Sequence, residues 1–193
     1  TAAGGNALLR VTLIGTDGSE VAASCIVSLP YVIDEATDTY TVYTPQGLLA
    51  WADKSDDYNC TLAADIDMNE QTWPIIGGYS RTFDGAGHTI SNLNVTGDSG
   101  IGFIGHLKGG TVKNLLLVDA INNGYMSVGG IVGIQEGGTV IACAVSGCTV
   151  SGDVWIGGIA GANDDTVTAC YAASCSVTAT FDEETSGHIT GHL

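Results

Sequence analysis

An all-β chain wound as a right-handed parallel β-helix, a solenoid with a short N-terminal capping helix and a β-hairpin region, is the fold class this sequence predicts. Three observations carry that prediction. The chain repeats itself: Gly102-Phe-Ile-Gly105 with Gly109-Gly-Thr-Val112 returns 28 residues later as Gly130-Ile-Val-Gly133 with Gly137-Gly-Thr-Val140. A third copy, Gly158-Ile-Ala-Gly161 with Asp164-Asp-Thr-Val167, follows after 28 residues for its first block and 27 for its second, and a fourth, truncated one begins at Gly187-His-Ile-Thr-Gly191. Such a period marks units that bury a core only by stacking on their neighbours. Runs inside the copies, such as Thr139-Val-Ile-Ala-Cys-Ala-Val145, lack the helical period and tend to alternate small or polar with apolar residues, so they read as strands. Finally, 28 glycines with only 3 prolines and no Gly-X-Y period imply many tight corners. At ~3.3 Å per strand residue, one repeat closes about one circuit of a three-sided coil.

The elements follow in order. Residues 1–42 read as a strand and hairpin region: Ala7 to Ile14 and Val21 to Leu29 flank the turn Thr16-Asp-Gly-Ser19, and Tyr40 to Tyr43 adds a strand. Residues 43–193 read as the β-helix, with repeats starting near 102, 130, 158 and 187. Pro45 to Asp53 carries good helix formers and an apolar cluster, and this helix, around Leu48, Leu49 and Trp51, is expected to cover the open end of the first coil. Asn59 to Asp67 returns to alternation, and Asp84-Gly85 marks a turn before an apolar strand through Ile90, Leu93 and Val95. The last coil, with Ile189 and Leu193, is expected to be covered by further repeats or domains of a longer chain. Gly130 and Gly158 are expected at matching places where a Cβ would clash or φ is positive, with Ile131 and Ile159 stacked in the core.

Hydrophobic residues make up 45% of the chain and charged ones only 13%, which argues for a buried core and against disorder. The formal net charge of −16 excludes nucleic acid as a partner, because phosphate binding needs a basic face, and disfavours anionic membranes and polyanionic sugars. No apolar run approaches the ~20 residues of a spanning helix. The start, Thr1-Ala-Ala-Gly-Gly-Asn6, has no signal-peptide pattern, so export would be encoded upstream.

Six cysteines stand at 25, 60, 143, 148, 170 and 175, without a Cys-x-x-Cys pair or a following histidine pair, so no metal site is assigned. Cys143 and Cys170 are equivalent across copies, as are Cys148 and Cys175, and each pair is expected to stack on adjacent coils. In-register Cβ atoms lie about one strand spacing apart, ~4.8 Å, beyond the ~3.8 Å a disulfide prefers. Stacked thiols behaving as small hydrophobes are therefore the expected state, with bridged pairs as the alternative. Asp65, Asp67 and Asn69 have calcium-loop spacing, but Glu70 stands where such a loop needs glycine and strand alternation explains the spacing equally well. His88, His106, His188 and His192 are scattered and read as solvated side chains, while Asp164 and Asp165 lack a basic partner at equivalent coil positions. Trp51 and Trp73 read as core or cap residues. Trp155 lies between Val154 and Ile156, so alternation turns it outward, and Tyr125 stands two positions off its register in the preceding coil. Trp155 and Tyr125 are the candidate ligand-binding residues, as aromatic faces for a sugar ring. No catalytic residue and no cofactor are assigned.

The blocks Gly130-Ile-Val-Gly133 and Gly158-Ile-Ala-Gly161, each followed by a Thr-Val strand and a cysteine, resemble the GLUG repeat of bacterial surface proteins. The stretch from Ala64 to Leu93, including Trp73-Pro-Ile-Ile-Gly77 and Thr82-Phe-Asp-Gly-Ala-Gly-His88, is similar to the lead-in ahead of such repeats, and residues 7–29 look like the last two strands of an immunoglobulin-like module. The resemblance implies a non-catalytic, adhesin-like module of a bacterial cell-surface or secreted protein, with a glycan or a host or matrix protein as ligand. Asp164 and Asp165 depart from the Gly-Gly of the repeat and put the third corner in question. The alternative is a carbohydrate-active β-helix enzyme, a lyase or hydrolase, whose cleavage would be lost on Asp164→Ala.

Overall fold

The computed structural model describes residues 5–69 and 71–180; the fourth copy, with His188, Ile189, His192 and Leu193, lies outside them. From Thr82 onward the chain winds as a parallel β-solenoid whose coils are built from five short strands, not from three longer sides. In the coil beginning at Thr111 these are Thr111–Lys113, Leu116–Val118, Ile121–Asn123, Met126–Gly129 and Val132–Gln135. The first three advance in steps of five residues, three in the strand and two in the corner. The middle strand residue and the second corner residue both point inward, which buries Val112, Leu115, Leu117, Ala120 and Asn122.

The corners explain the difference from a three-sided coil. A bend every five residues requires left-handed backbone at the first corner residue, and Asn114, Asp119, Ala142, Ala169 and Ser174 all have φ between 51° and 55°. Most of these bends are thus made without glycine. Glycines instead serve close approach between the last two faces of the coil: a Cβ on Gly130 would lie 2.3 Å from the Gly158 carbonyl oxygen, and one on Gly133 would lie 2.4 Å from the Gly100 backbone. Neither Gly130 nor Gly158 has positive φ, so contact and not conformation requires glycine at Gly130. Ile131 and Ile159 are buried, and the Ile131 N–H donates to the Ile159 carbonyl at 2.9 Å.

Coil stacks on coil in register, giving five parallel faces. The first face extends through Thr166–Thr168, Thr139–Ile141, Thr111–Lys113 and Thr82–Asp84 to Asn59–Leu62 and β4 (Thr39–Val42), and ends on an antiparallel strand, β3 (Tyr31–Asp34). Residues 31–42, grouped with the hairpin on sequence grounds, therefore hydrogen-bond within the solenoid's own sheet, and β3 is a strand that sequence patterning missed. The hairpin proper is a two-stranded ribbon, β1 (Asn6–Ile14) and β2 (Glu20–Ser28), paired only with itself and with Leu13, Ile14, Val21 and Ile26 exposed.

The only helix among the described residues, α1 (Pro45–Ala52), connects β4 to Asn59–Leu62. Its start is set by Thr44, whose side chain accepts from the Gly47 N–H at 3.2 Å, and by Pro45 in the first turn. Leu48 and Trp51 are fully buried, and Leu49 packs against the core. The Trp51 ring lies 5.1 Å from Phe83, 5.6 Å from Tyr79 and 6.3 Å from Phe103, so the helix closes the first coil with an aromatic plug. Trp73 completes it, its ring 5.3 Å from Phe103 and its Nε1 donating to the Phe103 carbonyl at 2.8 Å. No described helix is long and apolar enough to cross a membrane.

Candidate functional site

Trp155 stands in the strand Val154–Gly157 on the fourth face, which pairs with Met126–Gly129 and, beyond it, Ser99–Ile101. The register aligns Trp155 with Ser127 and Gly100, and all three have left-handed backbone, with φ of 57°, 55° and 66°. Glycine adopts that conformation freely; for tryptophan it costs about 1–2 kcal/mol. Strain of this kind persists only where the surrounding structure dictates it, and such residues cluster at ligand sites. Here the coil-to-coil hydrogen bonds of the neighbouring positions impose it. The side chain points outward and is 45% exposed, while Ile156 is buried and Val154 half-buried.

Beside Trp155 runs a groove of about 560 Å³, bounded by Met126, Ser127, Gln135, Glu136, Asn163 and Asp164. The fifth face supplies its far wall, through strands Val132–Gln135 and Ala160–Asn163. Glu136 Oε2 lies 3.1 Å from His106 Nε2. Gln135 is 1% exposed; its Nε2 donates to the carbonyls of Gly138 and Thr166, and its Oε1 has no partner among the described residues. Tyr125 sits at the corner before Met126, 51% exposed, with its carbonyl accepting from the N–H groups of Asp153 and Val154. The two aromatic residues thus belong to neighbouring coils on one side of the solenoid, and the groove is lined by Trp155 and not by Tyr125.

The other sequence candidates are engaged locally. Asp67 accepts from the Asn69 N–H and from Asn92 Nδ2, and Asp65 from the Thr89 N–H and from His88; those hydrogen bonds hold both carboxyls below the usual carboxylate range. Among the described residues no cluster of three or more His, Cys, Asp or Glu side chains could hold a metal ion. Asp164 and Asp165 form a two-residue corner where the coil before has three, Glu136, Gly137 and Gly138, and Asp165 caps the following strand by accepting from the Thr166 N–H at 2.7 Å. Dropping one residue removes the need for the positive φ of Gly137 and Gly138.

The cysteines stack as equivalents. The Cys143 N–H donates to Cys170 Sγ at 3.4 Å, and each thiol of the two ladders reaches back to a carbonyl of the preceding coil, Cys143 to Val112 and Cys170 to Val140 at 3.6 Å, Cys148 to Leu117 at 3.7 Å and Cys175 to Val145 at 3.6 Å. Its hydrogen bond with Cys170, with burial adding to it, pushes the Cys143 thiol up, and the same bond lowers Cys170 to about 7. Burial raises Cys148 to about 11. Asn122, which sequence alternation assigned no role, lies fully buried and donates from Nδ2 to the Gly129 and Gly130 carbonyls at 2.6 and 3.1 Å, bracing the bend that carries the groove. The signal for it was a polar residue in the column of Val95, Val150 and Val177.

Residues 124–154, one circuit of the coil, match the GLUG motif. The chain is also similar to halomucin of Haloquadratum walsbyi, 32% identical over 147 residues, which is 65% of this chain and 2% of halomucin. It therefore spans a small fraction of that relative's length. No solved structure matches the chain. The chain thus carries a GLUG motif on a β-solenoid and is similar to a small part of halomucin; that relative is archaeal, so the expected bacterial source does not follow from it.

Proposed function

We propose that this GLUG-repeat solenoid is a non-catalytic, adhesin-like binding and spacing module, and that it holds a glycan at Trp155, with Tyr125 as an accessory contact on the preceding coil. The single observation that carries the reading is an exposed tryptophan held in left-handed backbone at the rim of a 560 Å³ groove. Nothing in the coil needs a large side chain there, since its equivalents are Gly100 and Ser127. An aromatic face stacks on the apolar face of a sugar ring, and the flanking carboxylates and amides accept from its hydroxyls. A host or matrix protein is the other partner class, and further repeats or domains of the same polypeptide would continue the stack. In glycan-array binding, Trp155→Ala is expected to weaken retention about tenfold and Tyr125→Ala less, with the melting temperature unchanged. Wild-type protein that binds no glycan, or a Trp155→Ala variant that binds as well as wild type, would overturn the reading.

A second reading has one observation in its favour: Glu136 and Asp164 both line the groove, as a carboxylate pair in a polysaccharide-cleaving enzyme would. Product formation from a polysaccharide, abolished by Asp164→Ala, would establish it in place of the first.

A further inference from the structure

We infer that the Trp155 groove is selective for a sugar bearing a free ammonium group, an amino sugar in its charged form, over neutral and anionic sugars; this rests on the glycan reading and specifies its ligand class. The groove is rich in acceptors. Glu136 and Asp164 bring two carboxylates to its walls, and Asn163 adds an amide. The lining holds no lysine or arginine. His106 Nε2 lies 3.1 Å from Glu136 Oε2 at the edge of the lining.

The tryptophan favours the same ligand charge. An indole face attracts a cation more strongly than any other side-chain ring, and Trp155 lines the groove. Charge at longer range agrees: on a chain with a formal net charge of −16, a carboxylated or sulfated sugar is repelled from this surface and an ammonium-bearing one is drawn to it. The groove's 560 Å³ suits a ring-sized ligand, which a lone ammonium on a flexible stem would not fill.

The test is titration of the purified chain with three probes: chitosan oligosaccharides, their fully N-acetylated counterparts, and poly-lysine. Chitosan oligosaccharides are expected to bind about tenfold or more tightly than the acetylated series and to weaken as salt is raised. Trp155→Ala, Glu136→Gln and Asp164→Asn should each reduce that binding while leaving the melting curve in place. If acetylated and free-amine oligosaccharides bind equally and the two carboxylate variants change nothing, the charge selection is wrong while the glycan reading stands. If poly-lysine binds as tightly as chitosan through the same residues, the groove is a site for cationic peptides and the inference fails. If no sugar binds, both fail.

Discussion

The two ends of the solenoid use one backbone and two different cores. At the helix-capped end Trp51, Trp73, Tyr79, Phe83 and Phe103 fill the coil with rings 4.7–6.3 Å apart. Further along, the same inward columns shrink: Phe83 is followed in register by Val112, Val140 and Val167, and Ile90 by Leu117, Val145 and Ala172. Leu115 gives way to Cys143 and Cys170, and Leu93 to Ala120, Cys148 and Cys175. The hydrogen-bond ladder between coils is unchanged while side-chain volume falls. Register is thus carried by the backbone, whereas the stability of each coil depends on what its inward columns bury. In the thinner coils the cysteines do two things at once, filling space as small hydrophobes and contacting carbonyls of the coil before.

The largest effect is expected from Ile131→Asp, in the middle of the stack, where a carboxylate would be buried between Phe103 and Ile159 of its own column. A loss of more than about 4 kcal/mol is expected, enough to remove the cooperative transition followed by circular dichroism. A native melting temperature for this variant would refute the stacked coils at both ends alike. Next in size is the contrast itself. Trp51→Ala should cost about 3–5 kcal/mol in denaturant unfolding, because a plug that touches three other rings is removed. Cys148→Ala should cost about 1 kcal/mol, since it removes one sulfur from a column already built of small groups. Equal costs would mean that the aromatic end has no special weight.

The smallest effect concerns Asp84, on the first face at the boundary between the two cores. Burial alone would raise its carboxyl, but hydrogen bonds from Asn114, the Ala86 N–H and Lys113 outweigh burial and leave it below the usual range. A depressed carboxylate contributes stability that is present above its unfolded value near 4 and is lost as pH falls through the folded value. Between pH 6 and pH 3 the wild type should therefore lose under about 1 kcal/mol that an Asp84→Asn variant does not lose, when unfolding is compared across that range. A pH response unchanged by the substitution would show that the contact does not link the coils.

Much of this was legible in residues 102–167. The 28-residue shift places Gly102, Gly130 and Gly158 in equivalent positions, and the 27-residue shift of the third copy's second block aligns Cys143 with Cys170 without any structure. Tryptophan between Val154 and Ile156 was enough to turn Trp155 outward. The five-residue step was hidden, because its corners are Asn114, Asp119, Ala142, Ala169 and Ser174, residues with no common chemistry, with a glycine only at Gly147 in these coils. The strand β3 was hidden for a different reason: Tyr-Val-Ile-Asp is too short for alternation to declare itself, and it is a strand because β4 lies beside it. The groove could not be read at all, since Ser127 and Glu136 come from one five-strand circuit and Trp155 and Asp164 from the next, and they meet only when the two stack.

By itself, then, the sequence determined the architecture: a repeat that cannot bury its own apolar side forces coil to stack on coil, and a constant direction of travel makes the stacking parallel. It also determined the sign of any ligand field, through 21 acidic against 5 basic residues. What only the tertiary structure decided is local. The left-handed backbone of Trp155, the orphan acceptor of Gln135 and the buried bracing by Asn122 are all set by neighbours a whole coil or a bend away. Pattern in a sequence reports which way a side chain faces along its own strand; the angle at which strands bend, and hence which side chains converge, is fixed by hydrogen bonds to the coils above and below.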